Sequence, residues 1–275
     1  MKVKAAVLRE CGKPLPYVNS LPLSIEEIEL DPPQSGEVLV QIKAAGLCHS
    51  DLVAINGERA KPVPMVIGHE ASGIVSKVGP DVDDLAVGDH VVPVYVANCG
   101  RCDMCQEGRP ALCQPATIAN KAGTLIDGTT RLHSDGQIIF HHSGVAAFSE
   151  YAVISQNALV RIDPEIPFEV AALFGCAVVT GVGSVVNTAN VKPGQSVAIV
   201  GLGGVGLNAL LAAVMSGAGQ VVAVDAKEKK LKIASQFGAH DTFNTNMENC
   251  MDEILAVTDG GVHFAFETAG VSPAL

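Results

Sequence analysis

Ser196-Val197-Ala198-Ile199-Val200 runs directly into Gly201-Leu202-Gly203-Gly204-Val205-Gly206. A short apolar strand thus meets G-x-G-x-x-G, and the apolar segment Val205 to Ser216 that follows reads as a helix. The glycine pattern alone is weak evidence. Its setting makes it specific, because Asp225 stands at the end of the next strand, Gln220 to Val224. Glycines here allow a tight turn and a close backbone approach to a pyrophosphate. The helix N-terminus then directs its free N–H groups and positive dipole end at the phosphates. Asp225 can accept hydrogen bonds from adenosine ribose hydroxyls, and its charge repels a 2′-phosphate, so NAD is expected over NADP. Gly201, Gly203, Gly204, Val205, Gly206 and Asp225 are therefore candidate cofactor-binding residues.

Downstream the alternation continues. Lys227 to Phe237 reads as a helix, Asp241 to Phe243 as a strand, Met247 to Thr258 as a helix and Val262 to Phe266 as a strand. That rhythm marks a parallel, doubly wound α/β sheet. Upstream of about residue 170 the rhythm is different. Met1 to Arg9, Val38 to Lys43, Ala71 to Val78, Val87 to Val94 and Phe148 to Ile154 read as strands punctuated by Gly and Pro, as in a small all-β barrel or sandwich. The change near Ala177 to Gly183 predicts two domains, 1–178 and 179–275.

The bulk numbers fit a folded chain. Its 275 residues can bury real cores, and 48% hydrophobic with 17% charged residues excludes disorder. A net charge of −11 argues against a nucleic-acid partner, which would need a basic face. No secretory signal precedes the first strand, so a cytoplasmic location is expected. Two uncharged stretches, Val170 to Val191 and Pro193 to Val224, raise a membrane question. Glycines and asparagines break both, and buried α/β elements are the expectation, with no membrane partner.

Eight cysteines in a reducing compartment point to metal or plain thiols, not disulfides. Cys99, Cys102, Cys105 and Cys113 are spaced C-x₂-C-x₂-C-x₇-C, and four soft ligands on one loop suit a closed tetrahedral zinc. An iron–sulfur cluster is the competing reading. Elsewhere, Gly46-Leu47-Cys48-His49-Ser50-Asp51 sets a thiol, an imidazole, a hydroxyl and a carboxylate side by side. Cys48, Cys176 and His69 of Gly68-His69-Glu70 would make a Cys₂His site with a position open for water or substrate, as in catalytic zinc. Spacing alone cannot gather residues so far apart. Asp51 either orients that site or caps the helix it begins. His141-His142 could approach the active-site mouth, but reads better as a solvated loop, and Cys11 and Cys250 read as ordinary thiols.

In combination and order these motifs, with Gly175-Cys176 and Phe148-Ser149-Glu150-Tyr151, resemble the zinc-dependent medium-chain alcohol dehydrogenases. The likeness runs from about Ala5 to Gly270 and is strongest to the liver-type and glutathione-dependent formaldehyde dehydrogenase branch. It implies an N-terminal GroES-like barrel domain with a structural-zinc lobe at about 95–115, followed by a Rossmann domain. It implies two zincs per chain and NAD. Cys48, His69 and Cys176 would hold the catalytic zinc, with Glu70 behind it as a transient ligand or tuning group. Cys99, Cys102, Cys105 and Cys113 would hold the structural zinc. Ser50 would accept the alcohol proton, His49 would lie near the cofactor pyrophosphate, Thr180 near the nicotinamide and Lys230 near the adenosine ribose. Tyr95 would line the substrate pocket.

Two departures stand out. Many relatives carry a histidine three residues after the relay hydroxyl, where this chain has Val53, so the proton path would end at the ribose and water. The sheet pattern also reaches only its fourth strand before Leu275, so a C-terminally truncated chain with an incomplete Rossmann domain is expected. The full-length form would be a homodimer or homotetramer. The resemblance implies oxidation of an alcohol to an aldehyde or ketone. The alternatives are oxidation of S-(hydroxymethyl)glutathione and, in another class, a truncated non-catalytic zinc- and nucleotide-binding fragment.

Overall fold

The computed structural model describes residues 1–270. The chain divides into two compact units, Met1–Cys176 and Ala177–Leu275. In the first, Lys2–Leu8, Leu23–Leu30, Leu132–Ser134, Gln137–His141 and Met65–Val66 close into a barrel. A second sheet runs in the order Leu159–Arg161, His90–Pro93, Glu70–Val78, Glu37–Gly46, Tyr151–Ser155. Alternation sets the inward face: Val3 and Ala5 of the first strand are buried between exposed or half-exposed neighbours, and Val7 is buried with them. They pack with Ile28, Leu30, Leu132 and Ile139. Each such aliphatic side chain withdrawn from water contributes about 1.5–3 kcal/mol.

One charged group is built into this unit. Arg131 is 8% exposed and forks onto Glu37, Nε donating to Oε2 at 2.9 Å and Nη2 to Oε1 at 2.7 Å. Nη2 also reaches Asp127 at 3.0 Å and Nη1 reaches Thr129 at 2.6 Å. Glu37 opens the Glu37–Gly46 strand of the second sheet, so the pair ties that sheet to the barrel strand beginning at Leu132.

In the second unit Ser196–Val200, Gln220–Asp225, Asp241–Asn244 and Phe264–Glu267 form a parallel sheet. Ser196–Val200 sits between Gln220–Asp225 and Phe264–Glu267, so the strand order reverses beside it. Helix Gly204–Met215 packs Ala209, Leu210, Ala212 and Ala213 onto Ile199, Val197 and Val221. Small side chains on that face let helix and sheet approach closely.

Some boundaries differ from the sequence reading. The strand expected from Val87 begins at His90, because Gly88 turns at φ +97° and donates its N–H to Val75 O. The helix expected from Met247 begins at Cys250, after a turn in which Met247 N–H bonds Asn244 O. The uncharged stretch from Val170 forms a helical run, Phe168–Ala189, long and apolar enough by length and composition to cross a membrane. It is only partly buried, and π-helical turns at Phe174–Val178 and Ser184–Ala189 interrupt it. His141 and His142 are not on a solvated loop: they are 0% and 2% exposed. The Gln137–His141 strand pairs with Met65–Val66 inside the barrel and carries them inward.

Candidate functional site

In the first unit Cys48, His69, Glu70 and Cys176 offer ligand atoms that all lie within 4.8 Å of one another. The Glu37–Gly46 strand delivers Cys48 to the start of helix His49–Ile55, and the neighbouring Glu70–Val78 strand brings Glu70 opposite Gly46. Gly46 leaves room for the Glu70 carboxylate, since a Cβ there would stand 2.5 Å from Glu70 Oε2 and displace it. Cys176 arrives from the π-helical turn Phe174–Val178. Cys48 Sγ and Cys176 Sγ are 4.0 Å apart, and Ser50 Oγ is 3.6 Å from Cys48 Sγ.

The electrostatics ask for a cation. A hydrogen bond from Cys176 holds the Cys48 thiol down to about 3. The Cys48 thiolate pushes Cys176 far above its ordinary value, since two adjacent sulfurs beside a carboxylate cannot both ionise unaided. Burial pushes the Glu70 carboxyl up. A divalent cation removes this conflict. Two sulfurs about 2.3 Å from a tetrahedral zinc stand ~3.8 Å apart, close to the spacing here. The donor set therefore fits a Cys₂His zinc with a carboxylate at hand.

Asp51 performs both tasks expected of it. Its Oδ2 accepts the Cys48 backbone N–H at 3.0 Å, closing the helix start. Its Oδ1 lies 3.1 Å from His69 Nδ1, which leaves Nε2 as the ligand nitrogen. Burial opposes ionisation of Asp51, but the neighbouring His142 and His69 overcome it and hold the carboxyl below its usual range. For His69 burial favours the neutral ring, but Asp51 and Cys48 outweigh it and raise the imidazole to about 9. Tyr95 stands edge-on to the His69 ring at 6.0 Å. His49 is exposed on the first helical turn and joins none of these groups, and Val53, half-buried on the same helix, carries no proton.

Cys99, Cys102, Cys105 and Cys113 form a second cluster, again with all sulfurs within 4.8 Å. Cys102 precedes the short helix Asp103–Gln106, which carries Cys105, and Cys113 precedes helix Gln114–Ala122. Cys102 Sγ is 3.5 Å from Cys105 Sγ and 4.0 Å from Cys113 Sγ, again the edge length of a tetrahedron around zinc. The backbone N–H groups of Cys99 and Cys102 point at Cys113 and Cys99 sulfurs, both at 3.3 Å. The Arg101 N–H, ahead of other groups, brings the Cys99 thiol down to about 6. All eight cysteines are free thiols.

In the second unit a cavity of about 490 Å³ opens at the carboxyl ends of the strands. Gly201, Gly203, Asp225 and Lys230 line it. Gly204, Val205 and Gly206 do not; they form the first turn of helix Gly204–Met215. Gly206 is there for closeness, since a Cβ would strike Gly201 O. A Cβ on Gly203 would meet no atom of the described residues within 4 Å, so their packing does not demand that glycine and its bareness widens the cavity. Asp225 Oδ2 accepts Leu202 N–H at 2.8 Å, and Oδ1 accepts Lys227 N–H at 2.9 Å. Lys230 Nζ is 3.3 Å from Oδ2. Burial opposes the Asp225 charge, but these donors lower its pKa on balance. A carboxylate has about four lone-pair directions, so a ribose hydroxyl can still be accepted. Thr180, on helix Val179–Gly183, lies outside the cavity lining. Thr245, Thr268 and Ala269 do line it and were missed. They follow the Asp241–Asn244 and Phe264–Glu267 strands, and lying just beyond a strand's carboxyl end is the signal that could have found them.

Comparison with known proteins agrees with this arrangement. The family described as alcohol dehydrogenase GroES-like domain matches residues 34–164, and the family described as zinc-binding dehydrogenase matches 204–275. An S-(hydroxymethyl)glutathione dehydrogenase of a Synechocystis strain is 41% identical over 273 residues, 98% of this chain and 72% of that protein. One from Escherichia coli is 40% identical with the same coverage. Among solved structures, an alcohol dehydrogenase zinc-binding domain protein from Burkholderia ambifaria superposes with TM-score 0.91 at 37% identity. It is matched over 100% of this chain and 72% of its own. Benzyl alcohol dehydrogenase from Acinetobacter calcoaceticus gives 0.89 at 35%, over 99% and 72%.

Proposed function

The chain belongs to the zinc-dependent medium-chain alcohol dehydrogenases, and from that premise we propose the part each of its residues takes in NAD-dependent oxidation of an alcohol to an aldehyde or ketone. The observation that carries the reading is the convergence of half-buried Cys48 with buried Cys176 and His69, with His69 turned by Asp51. Cys48, His69 and Cys176 hold the catalytic zinc, Glu70 stands behind it, and Cys99, Cys102, Cys105 and Cys113 hold the structural zinc. Bound zinc would supply Lewis acidity toward the substrate oxygen, and bound NAD⁺ would supply a hydride acceptor.

The chain's own groups do the rest. Ser50, beside Cys48, takes the alcohol proton, and because Val53 carries none, the onward path ends at the ribose and water. Tyr95 forms one wall for the substrate. Asp225 and Lys230 hold the adenosine ribose, with Asp225 excluding a 2′-phosphate by charge. Gly201 to Gly206 cradle the pyrophosphate, near which His49 lies, and Thr180 contacts the nicotinamide.

The substrate is a small primary or secondary alcohol. A second reading, the glutathione adduct of formaldehyde, is favoured by the names of the relatives at 40–41% identity. Free cysteines throughout support a reducing, cytoplasmic location, and the resemblance supports a homodimer or homotetramer. An alcohol panel with NAD⁺ or NADP⁺, with and without formaldehyde plus glutathione, tests the proposal. NADH formation with simple alcohols supports the first reading, and turnover only with the adduct supports the second. A protein inert with every substrate contradicts both.

A further inference from the structure

We propose that His142 is a positioning residue for the Cys48–His69–Cys176 metal site, acting through Asp51. The inference rests on the zinc reading above and adds to it a side chain that packs against His69 and Asp51.

The backbone brings His142 there. The Gln137–His141 strand pairs in parallel with Met65–Val66, setting His141 opposite Val66. Beyond that pair the two segments stay together, with Ala147 N–H bonding Gly68 O at 2.9 Å and Phe148 N–H bonding Ile67 O at 2.9 Å. His142 therefore comes to rest beside His69. The two rings meet edge to face, 5.1 Å between centres at 86°. His142 Nδ1 is 3.1 Å from Asp51 Oδ1, the oxygen that also faces His69 Nδ1 at 3.1 Å. That contact is too far off line to count as a hydrogen bond, and among the described residues the His142 nitrogen has no other partner, although the ring is 2% exposed.

Asp51 is the hub of this arrangement. One oxygen holds the backbone of Cys48 and the other holds the ring of His69, so a single buried carboxylate fixes two of the three ligands. Rotation of that carboxylate would loosen both. His142 restrains it with a nitrogen at Oδ1 and blocks the His69 ring from turning with its own edge. A space-filling residue could supply the second effect but not the first. Replacing groups that orient metal ligands typically changes metal affinity about 10–100-fold.

The test is zinc content and affinity in the purified protein, measured by elemental analysis and by competition with 1,10-phenanthroline. His142→Phe should hold one zinc about 10–100-fold more weakly and the four-cysteine zinc unchanged. His142→Asn, whose amide nitrogen falls where Nδ1 was, should restore wild-type affinity. His142→Gln, whose amide falls where Nε2 was, should not. Should His142→Phe fail to fold, the Asn and Gln pair decides. Wild-type affinity in His142→Phe, or equal weakening in the Asn and Gln variants, overturns the inference. A wild-type protein that holds only the four-cysteine zinc overturns the underlying zinc reading, and this inference with it.

Discussion

Cys48 is where the chemistry concentrates, because it donates a thiolate, is fixed by Asp51 and neighbours Ser50. Replacing it with Ala should abolish turnover while leaving NAD binding intact, since the cavity at Asp225 belongs to the other unit. Steady-state assays beside NADH titration check this, and retained turnover would sink the zinc assignment. His141 makes a separate prediction. Its Nε2 accepts the Arg131 backbone N–H at 3.2 Å, so protonation would break that bond. Complete burial, with Arg131 nearby, lowers the ring from 6.5 to about 3. Between those values the unfolded chain binds a proton that the folded chain refuses, so stability falls as pH drops below 6.5. From pH 7 to 5 the wild type should lose about 2 kcal/mol more than His141→Gln, which keeps an acceptor but does not titrate. Urea unfolding at both values measures it, and equal losses would refute it.

At the scale of elements, the strand–turn–helix from Ser196 to Met215 does one job with few residues. Asp225 closes it by accepting Leu202 N–H. Asp225→Gly should relax the preference for NAD over NADP by about tenfold, as the loss of a charged hydrogen-bond partner would imply. Unchanged cofactor ratios would count against its ribose role. The Arg131–Glu37 pair staples a barrel strand to the second sheet. Arg131→Met leaves Glu37 buried without its partner and should cost about 3–5 kcal/mol of unfolding free energy, whereas a loss below 1 would mean the pair is dispensable. Local motifs such as the glycine turn and the four-cysteine lobe were legible because their residues are close in sequence. The Cys48, His69 and Cys176 set was gathered only by family likeness, because the chain places long segments between them. His142 was read as solvated because its burial depends on the pairing of Gln137–His141 with Met65–Val66, a long-range register no local pattern encodes. The strand start at Val87 failed for the opposite reason, a glycine turn overriding β-rich content.

At the scale of the whole molecule, two compact units carry two kinds of site. The first holds the two cysteine-bearing clusters, and the second holds the nucleotide cavity. The fold class followed from the change of rhythm near residue 177, where Gly-punctuated strands give way to alternating strands and helices. The central claim is that two separate ligand sets each bind a zinc and that only one of them involves Cys48. Elemental analysis of the purified wild type and of Cys48→Ala tests it most directly. Two zincs per chain in the wild type and one in the variant are predicted; one zinc in the wild type, or two retained in Cys48→Ala, would contradict it.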